Sequence, residues 1–188
     1  MRVTSSYRLS LPTVDVLSDF LTRFLFVAVG VGLFFVSGQL RIEFVPVPFT
    51  MQTAVVLLLG LVYPYRLGMY TMMTCYSLTI LGFPICAGFS SGLTPFMSYS
   101  AGYLYAFYYV TIFLHVLEPF RRGAGVGVWV LHAFIAQSFI WLSGFFGMIY
   151  FGMSWQDALF LGVFPYVMMD IVKLFISVWV ARKLVLQS

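Results

Sequence analysis

A succession of apolar runs, each closed off by charge or by proline and glycine, constrains this chain more than any other feature of its sequence. The first runs from Phe24 to about Leu40 and the second from Met51 to Tyr63. The third covers Leu67 to about Gly82, with Pro64–Tyr65–Arg66 before it and Pro84 after it. Phe96 to Leu117 and about Gly127 to Tyr150 follow, separated by the turn Arg121–Arg122–Gly123. A last stretch leads from Trp155–Gln156–Asp157 to Arg182–Lys183. A helix needs about 20 apolar residues to cross hydrocarbon, and all but the short second run come near that length. Of the 188 residues 62% are hydrophobic and 9% charged, against roughly 45–50% and about 25% in a soluble domain. Such a chain cannot clothe itself in polar surface, so lipid is the solvent it requires. The pattern predicts an all-α integral membrane protein: a polar segment over residues 1–23, then one domain of six transmembrane helices over residues 24–188.

The basic residues test that count independently. With the amino terminus inside, Arg2, Arg8, Arg23, Arg66, Arg121, Arg122, Arg182 and Lys183 all fall in cytoplasmic segments, and the external loops hold only Arg41. This asymmetry follows the positive-inside rule for an even number of spans. It predicts a multi-pass protein of the cell (inner) membrane with both termini cytoplasmic. Met1 to Thr22 is polar and does not resemble a cleavable signal peptide. The net charge of +4 does not imply a nucleic-acid partner, because the basic residues are dispersed and form no aromatic-interleaved stripe. Cys75 and Cys86 match no metal spacing and read as small hydrophobes.

Arg41 to Thr50, with two prolines and two charges, reads as a connector, with re-entry into the bilayer as one form it could take. Small residues four apart, Ala28 with Gly32 and Gly123 with Gly127, let helix backbones approach closely. They either pack the protein internally or present a docking face to a partner membrane protein.

Two charged residues, Asp170 and Lys173, lie well inside an apolar run. If the last span starts at Pro165, which suits a first helical turn, Asp170 lies about 8 Å below the external end. Lys173 is one turn deeper on the same face. A charge at such depth is expensive and marks a substrate or ion pathway more often than a self-satisfied pair, which favours binding over pure structure. The uncharged loop from Gly82 to Pro95 is the second candidate. Gly88 and Gly92 permit close backbone approach, and Ser90, Ser91 and Thr94 supply hydroxyls. Gly88 to Gly92 also spells G-x-S-x-G, but the strand–turn–helix setting of a hydrolase is absent. Gln52, Gln137 and His132 are further buried polar candidates, His132 as an interhelical hydrogen-bonding residue. Trp155 and Trp179 read as interface anchors. No cofactor is implied, no nucleophile–base pair or metal cluster points to an enzyme, and no phosphate loop is present, so ATP-driven transport would need another subunit.

From Val45–Pro46–Val47–Pro48–Phe49–Thr50–Met51–Gln52–Thr53 onward the chain resembles the BioY family, the biotin-binding S components of energy-coupling-factor transporters. The resemblance continues through Tyr65–Arg66–Leu67–Gly68, Leu81–Gly82–Phe83–Pro84 and Ala101–Gly102–Tyr103–Leu104, and closes with Pro165, Asp170 and Lys173. It implies a six-helix S-component fold, high-affinity biotin capture from the outer side, and partnership with a transmembrane coupling subunit and an ATPase pair. Asp170, Lys173, Gln52, Gly88, Ser90 and Ser91 would then contact the ligand. The three-residue spacing of Asp170 and Lys173 suits the compact ureido head, and Lys173 on the tail carboxylate is the rival assignment. Ala28 and Gly32 would form the coupling-subunit docking face. An S component for another vitamin and an intramembrane enzyme are the competing readings.

Overall fold

The computed structural model describes residues 16–186. Arg2, Arg8 and the rest of residues 1–15, with residues 187–188, lie outside the described residues. Helices dominate: α1 (Val16–Gln39), α2 (Gln52–Val62), α3 (Tyr65–Ile80), α4 (Ala101–Val116), the single turn α5 (Glu118–Arg121), α6 (Val126–Tyr150), α7 (Trp155–Gly162) and α8 (Phe164–Leu186). Large apolar side chains face outward along the long helices, among them Phe24, Val29, Leu142, Phe146, Val172 and Phe175. That is the surface of a protein solvated by lipid.

The apolar runs locate the helices, and the departures have local causes. The first helix begins eight residues before the first run, at Val16. Asp19 and Arg23, one turn apart on α1 and 2.9 Å from each other, extend it as an ion pair. The fourth begins at Ala101 rather than Phe96. Thr94–Met97 forms a separate 3-10 turn, and the Ser98 hydroxyl bonds the Pro95 carbonyl and the Ser100 hydroxyl. Such local bonds offer the backbone an alternative to the helix. The last stretch breaks at Val163 into α7 and α8. Pro165 has no N–H to give and its ring obstructs the carbonyl one turn back; the nearby Gly162 carbonyl accepts from the Tyr103 hydroxyl at 2.5 Å. Arg121, expected in an open turn, is buried, donates to the Leu114 carbonyl and lies 5.3 Å from the Trp129 ring centre.

Among the described residues, three segments are long and apolar enough to cross a membrane: Asp19–Gln39, Val126–Tyr150 and Trp155–Leu186. By contrast α2, with 11 residues, is about 16 Å long. Eight of those residues are buried, so α2 is the central helix, packed between α8 and α4. The connector supplies what α2 lacks in length. Arg41–Ile42 (β1) pairs antiparallel with Phe49–Thr50 (β2), Arg41 opposite Thr50. This two-residue ribbon, which no periodicity announces, folds the V-P-V-P segment back and buries Val47.

Helices α4 and α6 approach closely at Gly102. A methyl group on Gly102 would lie 2.2 Å from the Ser143 carbonyl oxygen, and the Ser143 hydroxyl donates to the Gly102 carbonyl at 2.7 Å. Small residues at such a crossing substitute close backbone packing for the hydrophobic drive that lipid does not supply. The pairs expected to do this from spacing are not used internally. Ala28 is exposed, and nothing stands within 4 Å of a methyl group placed on Gly32, Gly123 or Gly127. Gly30, between Ala28 and Gly32, is the residue that packs inward, against Thr71 of α3.

Candidate ligand-binding site

A cavity of about 210 Å³ opens where the β ribbon, the α3–α4 loop and the amino-terminal ends of α2, α4 and α8 meet. Tyr103, Leu104 and Phe107 of α4 form its apolar wall, Val47 to Thr50 its ribbon side, and Cys86, Ala87 and Ser90 its loop side. Tyr166, Asp170 and Lys173 enter from α8. Their spacing of four and three residues sets them on one helix face. Ser177, one further turn along, continues that face and bonds the Ala54 carbonyl of α2. A mostly apolar enclosure with a few convergent polar groups is the usual form of a small-molecule site.

The charged pair is fully hydrogen-bonded. Lys173 Nζ donates to Asp170 Oδ1 at 2.8 Å, to the Thr50 carbonyl at 2.6 Å and to Thr53 Oγ1 at 3.0 Å, which uses all three of its protons. It also stands 3.5 Å from the Phe49 ring centre, a cation–π contact. Asp170 Oδ1 accepts additionally from Thr53 at 3.3 Å, and Oδ2 accepts from Gln137 Nε2 at 3.0 Å and Trp141 Nε1 at 2.8 Å. Four donors fill the acceptor sites of a carboxylate. Asp170 and Lys173 are 3% and 4% exposed. Desolvation of such a pair is tolerable only with this degree of hydrogen bonding. Tyr166 braces the ribbon: its ring stacks on Phe49 at 6.1 Å and its hydroxyl donates to the Val47 carbonyl.

Among the residues singled out from sequence, Asp170, Lys173, Gln52 and Ser90 line the cavity. Gln52 Nε2 is buried without a hydrogen-bond partner. Gly88 and Ser91 do not line the cavity. Gly88 instead lies beneath the Arg41 guanidinium, where a methyl group would come within 1.8 Å of Nη1. His132 is buried with Nδ1 unpartnered. Thr53 and Trp141 were not legible as site residues. Trp141 stands one helical turn after Gln137, and that spacing was the available signal.

The chain matches the BioY family over residues 8–187. It belongs to that family. Among curated relatives, "Probable biotin transporter BioY" of Pyrococcus horikoshii is 34% identical over 159 residues, covering 84% of this chain and 93% of the relative. "Biotin transporter BioY" of Thermotoga maritima is 26% identical over 154 residues, covering 81% and 89%. A crystal structure of the S-component for biotin from an ECF-type ABC transporter superposes with a TM-score of 0.81 at 17% identity, covering 93% of this chain and 96% of that one. The S-component fold expected from the BioY resemblance is therefore present.

Proposed function

We propose that this BioY-family chain captures biotin and takes it across the cell membrane as the substrate-specific subunit of an energy-coupling-factor transporter. It binds and moves its ligand and performs no catalysis. The buried Asp170–Lys173 pair at the cavity, 2.8 Å apart, is the observation that carries the reading. A ureido group presents N–H donors beside a carbonyl acceptor. It can enter the network by exchange: a ligand N–H takes the place of the Thr53 hydroxyl on Asp170, the longest of that carboxylate's bonds at 3.3 Å. The ligand carbonyl takes one Lys173 proton in return. Asp170 keeps four donors and, where the proton given up is the one on Thr53, Lys173 keeps three acceptors, so neither buried charge loses a bond and the cost falls on the Thr53 hydroxyl. A carboxylate, an acceptor only, offers nothing to Asp170. The biotin tail then extends toward the loop side, where Ser90 and Thr94 line the cavity.

The partners follow from the outer surface. The exposed Ala28–Gly32 face of α1 leaves room for a second membrane subunit to approach the backbone, and we assign it to the coupling subunit, with an ATPase pair supplying energy. The basic residues Arg23, Arg66, Arg122, Arg182 and Lys183 sit toward the helix ends away from the cavity, which supports a cavity facing outward and termini facing inward.

The deciding measurement is equilibrium binding of labelled biotin to the purified chain. Saturable one-site binding, competed by unlabelled biotin and not by other vitamins, is expected. Absence of biotin binding by folded protein that binds another vitamin overturns the ligand.

A further inference from the structure

We infer that Gln39, the last residue of α1 and absent from the cavity wall, is a positioning residue that holds the loop side of the cavity in place. The inference rests on the biotin-binding reading above. The segment from Cys86 to Ser90 is a tight reversal: Ser90 N–H donates to the Ala87 carbonyl at 3.3 Å and Cys86 N–H to the Ser90 carbonyl at 3.3 Å. Its two central residues, Gly88 at φ 66° and Phe89 at φ 58°, both have positive φ. Primed turns of this kind are made by Gly, Asn and Asp, and a phenylalanine in the second central position is strained. Something outside the turn must hold it there.

That restraint is the Gln39 carboxamide. Its Nε2 donates to the Cys86 carbonyl at 3.2 Å, and its Oε1 accepts from the Phe89 N–H at 3.1 Å. One side chain therefore grips both limbs of the turn, as a peptide group of a neighbouring strand would. The Phe35 ring, one turn earlier on α1, meets the Phe89 ring edge to face at 6.1 Å. The opposite side of the same turn is the cavity wall, through Cys86, Ala87 and Ser90. The wall is thus fastened to α1, the helix whose Ala28–Gly32 face is open, by the two Gln39 bonds and the Phe35–Phe89 contact.

The test compares Gln39→Met, which keeps side-chain length and removes both bonds, with Gln39→Ala, so that a folding defect peculiar to one variant does not decide the outcome. Release of labelled biotin is expected to speed up by about tenfold with the association rate little changed, since loosening a wall acts on escape more than on encounter. Phe89→Gly added to Gln39→Met is expected to slow release again, because glycine holds positive φ without the clamp. A second readout needs no ligand. In a Cys75→Ala background, a small apolar maleimide should reach Cys86, 2% exposed in the intact turn, about tenfold faster when Gln39 is Met. Wild-type release and labelling rates in both Gln39 variants overturn the inference while leaving biotin binding standing. Faster release that Phe89→Gly does not reverse, with a matching fall in melting temperature, assigns Gln39 a general packing role and overturns it as well. Loss of biotin binding by wild-type protein overturns the ligand reading, and the Cys86 labelling rates still decide the clamp.

Discussion

The indole N–H of Trp141 donates to Oδ2 of Asp170 at 2.8 Å, joining α6 to α8 beside the cavity. With Gln137 on the same oxygen, and Lys173 and Thr53 on the other, the carboxylate is the meeting point of α2, α6 and α8. The candidate site and the centre of the bundle are one hydrogen-bonded unit, so substitutions there should affect binding and stability together.

Asp170→Asn should show this coupling. It removes the countercharge of Lys173 and turns two acceptor positions into donors facing Gln137 and Trp141. Breaking a buried pair by removing one partner costs about 3–5 kcal/mol. Purified Asp170→Asn protein should melt well below wild type and bind labelled biotin at least about a hundredfold more weakly. Asp170→Asn combined with Lys173→Met should recover part of the melting temperature but none of the binding. Recovery of binding in the double variant would mean that the pair only holds the bundle.

Gly88→Ala separates two strains at one position. The residue has φ 66°, and its added methyl would lie 1.8 Å from the Arg41 guanidinium. The left-handed backbone alone costs a non-glycine residue about 1–3 kcal/mol. Arg41→Ala should therefore relieve Gly88→Ala in part, leaving a residual loss in thermal stability. Full relief would place the whole effect in the collision.

Insertion into the membrane can be read directly from position 91. The native cysteines are buried, so a cysteine replacing Ser91, in the α3–α4 loop, should be the residue labelled by an impermeant maleimide in intact cells. Labelling only after permeabilisation would invert the orientation inferred from the basic residues.

The α1 face calls for an assembly measurement. No neighbour lies within 4 Å of a methyl group at Gly32, so Ala28→Trp or Gly32→Trp should fold and bind biotin nearly as wild type does. Co-purification with a coupling subunit should fall sharply, because the close backbone approach is blocked. Loss of biotin binding together with assembly would instead make the face part of the chain's own packing.

What was legible in the sequence was whatever depends on neighbours in the chain. Apolar runs located the long helices, and Pro165 marked the start of α8 within one residue. Asp170 and Lys173 stood out because a charge inside an apolar run is costly wherever the run folds. The partners of Asp170 were hidden because they come from 29, 33 and 117 residues away. The β ribbon was hidden because two residues per strand are too few to show alternation. Gly88, Ser90 and Ser91 were chosen together on composition, and only Ser90 reaches the cavity. Which way a turn residue points is set by turn geometry and by Gln39, some 50 residues earlier.

Which end of biotin meets the charged pair is open to a direct contrast. Charge alone favours Lys173 on the tail carboxylate. The wiring favours the ureido head, since Lys173 already has an anionic partner at 2.8 Å and Asp170 has only acceptor positions to offer. A tail carboxylate drawn toward Lys173 would also be drawn toward Asp170, and the repulsion of two buried carboxylates would offset the gain. With the head on the pair, biotin amide should bind wild-type protein within about tenfold of biotin, because only hydroxyl and amide contacts to the tail change. Lys173→Ala should weaken biotin and its amide by similar factors, because both lose the same bond at the ureido carbonyl. Competition binding with both ligands on both proteins gives the four affinities required. An amide that binds wild type very poorly, yet binds Lys173→Ala as well as biotin does, would show the lysine reading the tail and would reverse the orientation.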